Sequence, residues 1–300
     1  MSDIQLGRMG VWTWAFDHQP WPQVRDAVTE YEDLGYGTIW FGEAAGRDST
    51  TQSALLLSAT RRIVVATGIA NIYRHDPVTL AQAERTLNEA FPGRFLLGLG
   101  VGARHFVEAR GKQWGAPVST MRDYLDAMDG ASLTGPEPAV PPRRVLAALA
   151  PKMLQLSAER TWGAHPFLLP VEHTAYAREI VGPDALLAVH QSVVLHKDRT
   201  TAREIARRGV AGWLASSDIV PSRWNLVREL LGFDDSDRTG GGSDRLVDAM
   251  IAAGDLELIA ARVQQQFDAG ADHVCISVDT GESAPALALP EFRELATALV

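Results

Sequence analysis

The sequence predicts an α/β fold, a (β/α)8 TIM barrel in which parallel strands alternate with helices. Short apolar runs alternate with longer amphipathic stretches through the chain, and eight of these runs have the length of a strand. Most are apolar at successive positions, which is typical of parallel strands covered on both faces. A length of 300 residues suits one such barrel, so we predict a single domain over residues 1–300.

The predicted strands and helices follow one another in regular order. The strands cover residues 9–14, 38–42, 63–70, 95–100, 144–149, 164–169, 186–195 and 273–278. Asp76-Pro77 predicts a helix start, because Asp caps a helix and Pro fits its first turn, and Pro92-Gly93 predicts its end. Further helices are predicted over residues 22–34, 200–214, 256–269 and 290–299.

Two long connections interrupt this order, after strands four and seven. The first spans residues 102–143 and includes GPEPAVPPR, and the second spans about 197–272 and includes DDSDRTGGGSD. The second stretch carries little apolar surface to bury, so we expect it to be mobile. Barrel active sites lie at the C-terminal ends of the strands, and both insertions follow strands there. They have the position either of a lid or of an ordinary surface loop.

Composition and charge indicate which classes of partner the protein is expected to bind and in which cellular compartment it is expected to work. The net charge is −9 with no run of Lys or Arg, which argues against nucleic acid. No stretch reads as a signal peptide or is apolar enough to span a membrane, so we expect a cytoplasmic protein. The one cysteine, Cys275, excludes an intrachain disulfide and is expected to be a small buried hydrophobe.

Sequence motifs for metal binding and for nucleophilic catalysis are missing. The eight histidines show no HExxH spacing, and the chain has no Gly-x-Ser-x-Gly elbow and no P-loop. We therefore predict no metal site. Redox chemistry on a bound cofactor is the remaining use for the barrel mouth.

The residues that follow the predicted strands are rich in aromatic residues and glycine, which suits a large flat ring. They include WTWAF, Gly42-Glu43, GIAN, GLGVG, LAP, His165-Pro166 and His190-Gln191. In GLGVG, glycines either narrow the end of the strand or let a flat cofactor approach the backbone at Gly100 and Gly102.

At these residues the sequence resembles the luciferase-like monooxygenase superfamily, and within it the coenzyme F420-dependent oxidoreductases. The resemblance rests on GTIWFGEAAGRD, on RRIVVATGIANIYRHDPVTLAQAERTLNEAFPGRFLLGLGVGARH and on LAALAPKMLQLSAERTWGAHPFLL. AGADHVCISV is similar to the last barrel strand of the family. The similarity covers nearly the whole chain.

The resemblance implies where a cofactor would bind. It places a non-proline cis peptide bond at Gly68–Ile69, at the end of strand three, against the concave face of a deazaflavin. It places the backbone of LAP against the phosphate-bearing side chain of the cofactor. The implied cofactor-binding residues are Gly68, Ile69, Ala70, Asn71, Gly100, Val101, Gly102, Leu149, Ala150 and Pro151. Relatives have Gly where this chain has Ala150, which adds a methyl group at that contact.

The resemblance also implies residues for the chemistry. Glu43 stands where relatives have a polar residue beside the ring, so Glu43 and His165 are candidate catalytic residues that hold or take a proton. Trp14, Asn71 and His165 are candidates for substrate contact. The alternative for Trp14, Asn71 and His165 is packing in the core or at the rim, and for Glu43 it is a solvated carboxylate.

We expect hydride transfer between F420 and a small organic molecule, in a homodimer. Sugar-phosphate substrates are not expected, because no Lys or Arg cluster stands at the matching positions. One alternative is a monooxygenase of the same superfamily that uses reduced FMN and oxygen. An alternative of another class is a barrel that binds a cofactor without catalysis.

Overall fold

The structure, a computed structural model, describes residues 4–219 and 221–300, except for the side chains of 217–219, 221 and 222. In this part of the chain, ten strands form one parallel sheet that closes on itself. They are β1 (Met9–Thr13), β2 (Thr38–Phe41), β3 (Val64–Thr67), β4 (Ala70–Asn71), β5 (Phe95–Gly100), β6 (Arg143–Leu146), β7 (Gly163–Ala164), β8 (Leu186–Leu195), β9 (Ile251–Gly254) and β10 (His273–Val278). Because β10 pairs with both β1 and β8, the sheet is a barrel, as predicted.

Eight of these strands match the eight predicted ones and build the barrel wall. β4 continues the line of β3 beyond residues 68 and 69 and pairs with β5. β9 was not predicted, and it pairs with the last four residues of β8, Ser192–Leu195. β8 is ten residues long whereas β7 has two, so the upper part of β8 has a free edge that β9 covers.

The predicted strand over residues 164–169 was too long. Only Gly163 and Ala164 pair with β6 and β8. The apolar residues that follow turn away between Pro166 and Pro170, with Leu168 at a φ of 52°. Proline and a left-handed residue are both poorly compatible with a strand, which explains the early end of β7.

Helices surround the barrel. They are α1 (Trp21–Asp33), α2 (Ser49–Ala59), α3 (Pro77–Ala90), α4 (Arg104–Glu108), α5 (Pro117–Asp129), α6 (Pro151–Arg160), α7 (Val171–Val181), α8 (Arg199–Ile219), α9 (Pro221–Leu231), α10 (Asp244–Met250), α11 (Leu256–Asp268) and α12 (Leu289–Leu299). α3 begins as predicted, since the Asp76 side chain accepts the Thr79 N–H at 3.0 Å and Pro77 occupies the first turn. None of the described helices is long and apolar enough to cross a membrane.

Alternate residues of the strands point to opposite sides of the wall, and both sides are apolar. Trp12, Trp40, Ala66, Leu96, Val145, Ala188 and Cys275 belong to the cluster in the barrel interior. Their neighbours Val11, Ile39, Val65, Leu97, Leu146, Leu187 and Ile276 belong to the larger cluster under the helices. This explains the continuous apolar runs in the sequence. Cys275 is fully buried, as expected.

Both insertions contain helices. α4 and α5 follow β5, and α8, α9, α10 and β9 follow β8 around a second apolar cluster that includes Trp213 and Trp224. The polar stretch that we expected to be mobile contains 3-10 turns within Asp235–Gly241, with a kink at Thr239 and Gly240. Its Asp237 is 2% exposed and accepts hydrogen bonds from Arg245 and Ser243. Ionic hydrogen bonds hold this segment where apolar burial is lacking.

Candidate active site

The predicted site residues come together at the C-terminal mouth of the barrel. Ala70 and Asn71 pair with Leu99 and Gly100, so the segments 68–71 and 98–102 run side by side. A surface cavity of about 680 Å³ lies at the opposite end, between α3, α5, α6 and the proline-rich segment. None of the predicted site residues lines that cavity.

The end of the third barrel strand forms a bulge, residues 68–71, with the Gly68–Ile69 peptide bond in cis, where we predicted it. Hydrogen bonds fix the bulge to β2. The Gly68 N–H donates to the Phe41 carbonyl at 2.7 Å, and the Glu43 N–H donates to the Ile69 carbonyl at 3.3 Å.

The glycines of GLGVG serve the contact with this bulge. A Cβ on Gly100 would lie 2.5 Å from Cγ1 of Ile69, and a Cβ on Gly102 would lie 2.3 Å from Nδ2 of Asn71. Gly102 also has a φ of +69°, which favours glycine. At Gly100 and Gly102 we predicted the close approach of a cofactor to the backbone. The Cβ positions of these two glycines are instead occupied by the side chains of Ile69 and Asn71. Gly100 is buried and Gly102 is exposed, and cofactor contact at these two positions stays a prediction.

Glu43 holds the bulge with its side chain as well as with its backbone. Its carboxylate is 1% exposed, and Oε2 accepts the Asn71 N–H at 2.9 Å. Oε1 accepts from Nε2 of His75 at 2.8 Å and from Oγ of Ser49 at 3.2 Å, and Nε of Arg74 lies 3.6 Å away. The two oxygens together contact residues from three parts of the chain.

This environment keeps Glu43 ionised. Burial alone raises the pKa of its carboxyl, but hydrogen bonds from His75 and from the Asn71 N–H, with the charges of His75 and Arg74, outweigh burial. The resulting pKa lies below the ordinary value. An ionised carboxylate with both oxygens bonded is an anchor and a poor proton donor.

His165 lies beneath the bulge. It is 1% exposed and stacks on Trp40, with ring centroids 4.3 Å apart at an angle of 13°. Nδ1 donates to the Ala188 carbonyl at 2.8 Å, and Nε2 has no partner among the described residues. Burial lowers the pKa of His165 to about 4, so the ring is neutral and Nε2 is an acceptor. Its predicted contacts with substrate stay predictions.

Trp14 is an exposed aromatic residue among the predicted site residues. It is 38% exposed and lies over Gly42, where a Cβ would be 2.1 Å from the Trp14 ring. It also meets the edge of Trp12 at 4.8 Å. Asn71 is partly exposed, and its Oδ1 accepts the Tyr73 N–H at 2.9 Å.

The segment 149–151 ends at the start of α6. Ala150 is the N-cap and offers no side-chain hydrogen bond, and both Ala150 and Pro151 are exposed. The φ of −93° and ψ of 155° at Ala150 are ordinary for any residue. The carbonyl of Leu149 accepts from Nε2 of His173 at 2.9 Å. An uncapped helix start of this kind suits an anion.

Sequence reasoning missed several residues of the mouth. His75 and Arg74 pair with Glu43, although 32 residues separate His75 from Glu43 in the chain. The sequence feature that could have indicated Arg74 and His75 is their position just before Asp76, the N-cap of α3. Phe167 was also missed: its ring meets Trp12 at 4.7 Å and His190 at 4.2 Å.

Among the described residues, one group of side chains has the spacing to hold a metal ion. Glu43, Asp48 and His75 each bring one ligand atom to within 4.8 Å of the others. Both Glu43 oxygens are already bonded, and the guanidinium of Arg74 opposes a cation there. The absence of a metal site stays a prediction.

Comparison with known proteins agrees with this architecture. The family model described as luciferase-like monooxygenase matches residues 7–273. A 5,10-methylenetetrahydromethanopterin reductase of Archaeoglobus fulgidus is 27% identical over 285 residues, which covers 81% of this chain and 85% of the relative.

Solved structures show the same fold. An F420-dependent secondary alcohol dehydrogenase in complex with an F420–acetone adduct has a TM-score of 0.75 at 14% identity, covering 99% of this chain and 100% of the other. The FMN-bound oxygenating constituent of 3,6-diketocamphane monooxygenase from Pseudomonas putida has a TM-score of 0.71 at 15% identity, covering 97% and 96%.

The fold and the mouth define a TIM barrel of the luciferase-like class, with a bulged third strand beside a glycine-rich fourth strand. The match over residues 7–273 shows that the chain belongs to the luciferase-like monooxygenase family, as the sequence predicted.

Proposed function

We propose that this chain is an oxidoreductase that binds coenzyme F420 at the barrel mouth and transfers a hydride between it and a small organic molecule. The observation that carries the proposal is the arrangement of the mouth in a chain of this family. The segments 68–71 and 98–102 lie side by side there, and β6 leads into the uncapped start of α6 at the same end of the barrel. A flat ring with a phosphate-bearing side chain suits such a mouth.

The residues present fit such a cofactor. The bulge is held by hydrogen bonds from its own chain, so its shape does not depend on a ligand. At the start of α6, Pro151 has no N–H and Met153 bonds to Ala150. The Lys152 N–H has no acceptor among the described residues and remains for an anion. The exposed ammonium of Lys152 adds positive charge beside it.

When bound, a 5-deazaflavin supplies a carbon that gives or takes a hydride. In this proposal Glu43 positions the bulge, and Trp14 and Asn71 contact the substrate. His165 supports the bulge from below, and its unpartnered Nε2 is the atom available to accept a hydrogen bond.

FMN is the second candidate cofactor, because it also combines a flat ring with a phosphate-bearing side chain, and an FMN-bound structure shares the fold. With FMN the reaction would be a monooxygenation that uses reduced flavin and oxygen.

The single domain, the homodimer, the cytoplasmic location and the absence of membrane or nucleic-acid partners stay predictions.

Fluorescence titration of the purified protein with oxidised F420 and with FMN tests the proposal. We expect selective binding of F420 with a micromolar or lower Kd. Selective binding of FMN, with oxygen consumption when the flavin is reduced, would move the function to monooxygenation. Binding of F420 without turnover of enones, imines or alcohols would indicate a barrel without catalysis, and binding of neither would refute the proposal.

A further inference from the structure

Four aromatic side chains form a continuous cluster at one side of the mouth: Trp12, Trp14, Phe167 and His190. Trp12 is at its centre, with ring centroids 4.8 Å from Trp14, 4.7 Å from Phe167 and 5.3 Å from His190. Phe167 and His190 are 4.2 Å apart. Together these four residues form an aromatic wall.

The aromatic wall adjoins the bulge. Nε1 of Trp12 lies 2.7 Å from the place that a Cβ on Gly68 would occupy. Trp12 thus contacts the bulge on one side and Trp14 and Phe167 on the other. A molecule that faces a ring bound at the bulge would meet this wall.

The four members divide into a buried base and an exposed surface. Trp12 is 1% exposed and His190 is 3% exposed. Trp14 is 38% exposed and Phe167 is partly exposed, so these two rings present aromatic surface. The indole N–H of Trp14 donates to no group in the described part of the chain, and so it is free for a ligand oxygen.

His190 fixes the segment that carries Phe167. The Leu168 N–H donates to Nδ1 of His190 at 3.2 Å. Nδ1 is therefore the acceptor, and Nε2 donates to Oγ of Ser277 at 2.8 Å. With one proton and both nitrogens bonded, His190 is neutral, and Phe167 is held in place before any ligand arrives.

The wall carries no formal charge. Trp12, Trp14 and Phe167 are uncharged, and burial lowers the pKa of His190 well below its ordinary value. Of the charged residues at the mouth, Glu43 and Arg74 follow β2 and β4 and lie 3.6 Å from each other, and Lys152 lies at the start of α6. A charged ligand against the wall would lose hydration without gaining an oppositely charged partner among its four residues.

We propose that the aromatic wall is a specificity site that takes a neutral, flat, conjugated ring with a carbonyl oxygen, lying against Trp14 and Phe167. The carbonyl oxygen accepts from the indole N–H of Trp14. This inference rests on the proposed function for the place of the cofactor, and it names the substrate class of that site.

Calorimetric titration with three related probes tests the class. Coumarin is neutral and flat, 3,4-dihydrocoumarin is neutral but puckered, and coumarin-3-carboxylate is flat but charged. Each is added to the protein saturated with oxidised F420, which cannot reduce it, and to the cofactor-free protein. We expect coumarin to bind at least about tenfold more tightly than either of the other two, since aromatic stacking and neutrality both favour it. Equal or tighter binding of the carboxylate would overturn the proposal.

Substitutions in the aromatic wall test whether coumarin binds there. Trp14→Leu and Phe167→Leu are each expected to weaken coumarin about tenfold while the Kd for F420 changes less than about twofold. Phe106→Leu is the matched control, because Phe106 is an aromatic residue 64% exposed on α4 and outside the wall. Unchanged coumarin affinity in both wall variants, with normal thermal unfolding, would overturn the proposal. Failure of F420 binding with coumarin still bound at the wall would refute only the proposed function.

Discussion

Glu43 is the residue whose contacts most directly shape the mouth. Its backbone N–H bonds to Ile69 and its carboxylate bonds to the Asn71 N–H, so one residue holds the bulge at two points. Since the folded-state pKa is lowered, this stabilisation is present above the unfolded pKa of about 4.3 and is lost as the pH falls through the folded value.

Replacing Glu43 by Gln should therefore loosen the bulge at neutral pH. Glutamine lacks the negative charge with which Glu43 accepts the hydrogen bond from His75. This loss should lower the free energy of unfolding by about 1–3 kcal/mol. It should also raise the Kd for F420 about tenfold or more, because the bulge supports the cofactor in our proposal. Urea unfolding and fluorescence titration measure the two effects.

Glu32→Gln is the matched control for this change. The Glu32 carboxylate is also buried and also accepts backbone N–H groups, from Arg61 at 2.7 Å and from Arg62 at 2.8 Å, before β3. Loss of the Glu32 carboxylate should destabilise the protein without changing the Kd for F420. An equal change of Kd in both variants would show that Glu43 acts on stability alone.

Ala150 carries the second prediction at this scale. Ala150→Asp places a carboxylate at the start of α6, where it caps the helix but repels an anionic cofactor. We expect the Kd for F420 to rise about tenfold or more, with unchanged or higher thermal stability. The control is Ala116→Asp, since Ala116 is the uncapped N-cap of α5 and also precedes a proline. Unaltered F420 binding by Ala150→Asp would place the phosphate elsewhere.

At the scale of elements, the sequence predicted the barrel strands well, because their apolar residues face both the interior and the helices. It predicted β7 poorly, since the apolar residues after Ala164 continue a strand pattern while Pro166 and Pro170 redirect the backbone. It missed β9, because IAAG becomes a strand only beside the free upper edge of β8. The partnership of Glu43 with His75 depends on the closure of the barrel and leaves no local signal.

The insertion after β8 provides a prediction at the same scale. Asp237→Asn removes the charge that Nε of Arg245 bonds at 2.7 Å and leaves a buried amide in its place. We expect faster hydrogen exchange of the segment 234–246, since its anchor is lost. Exchange in β1 to β6 and the Kd for F420 should be unchanged. Uniformly faster exchange would instead show that this segment stabilises the whole barrel.

At the scale of the whole molecule, four buried histidines make the fold sensitive to acid. They are His165, His173, His190 and His273. Burial lowers the pKa of His165, His173 and His273 to about 4 and that of His190 well below its ordinary value. The unfolded chain binds these protons below about pH 6.5, whereas the folded chain does not. The contribution of these four histidines to the free energy of unfolding should therefore be fully present above pH 6.5. It should decrease as the pH falls toward 4.

Unfolding near pH 5 should accordingly take up about three to four protons, which corresponds to a loss of roughly 4–5 kcal/mol per pH unit. Urea unfolding between pH 7 and pH 5 measures this slope. His173→Gln should reduce the uptake by about one proton, because glutamine cannot be protonated there while it can still donate to the Leu149 carbonyl. A slope near zero would mean that the four rings are charged in the folded protein, and the neutral aromatic wall at the mouth would then lose its physical basis.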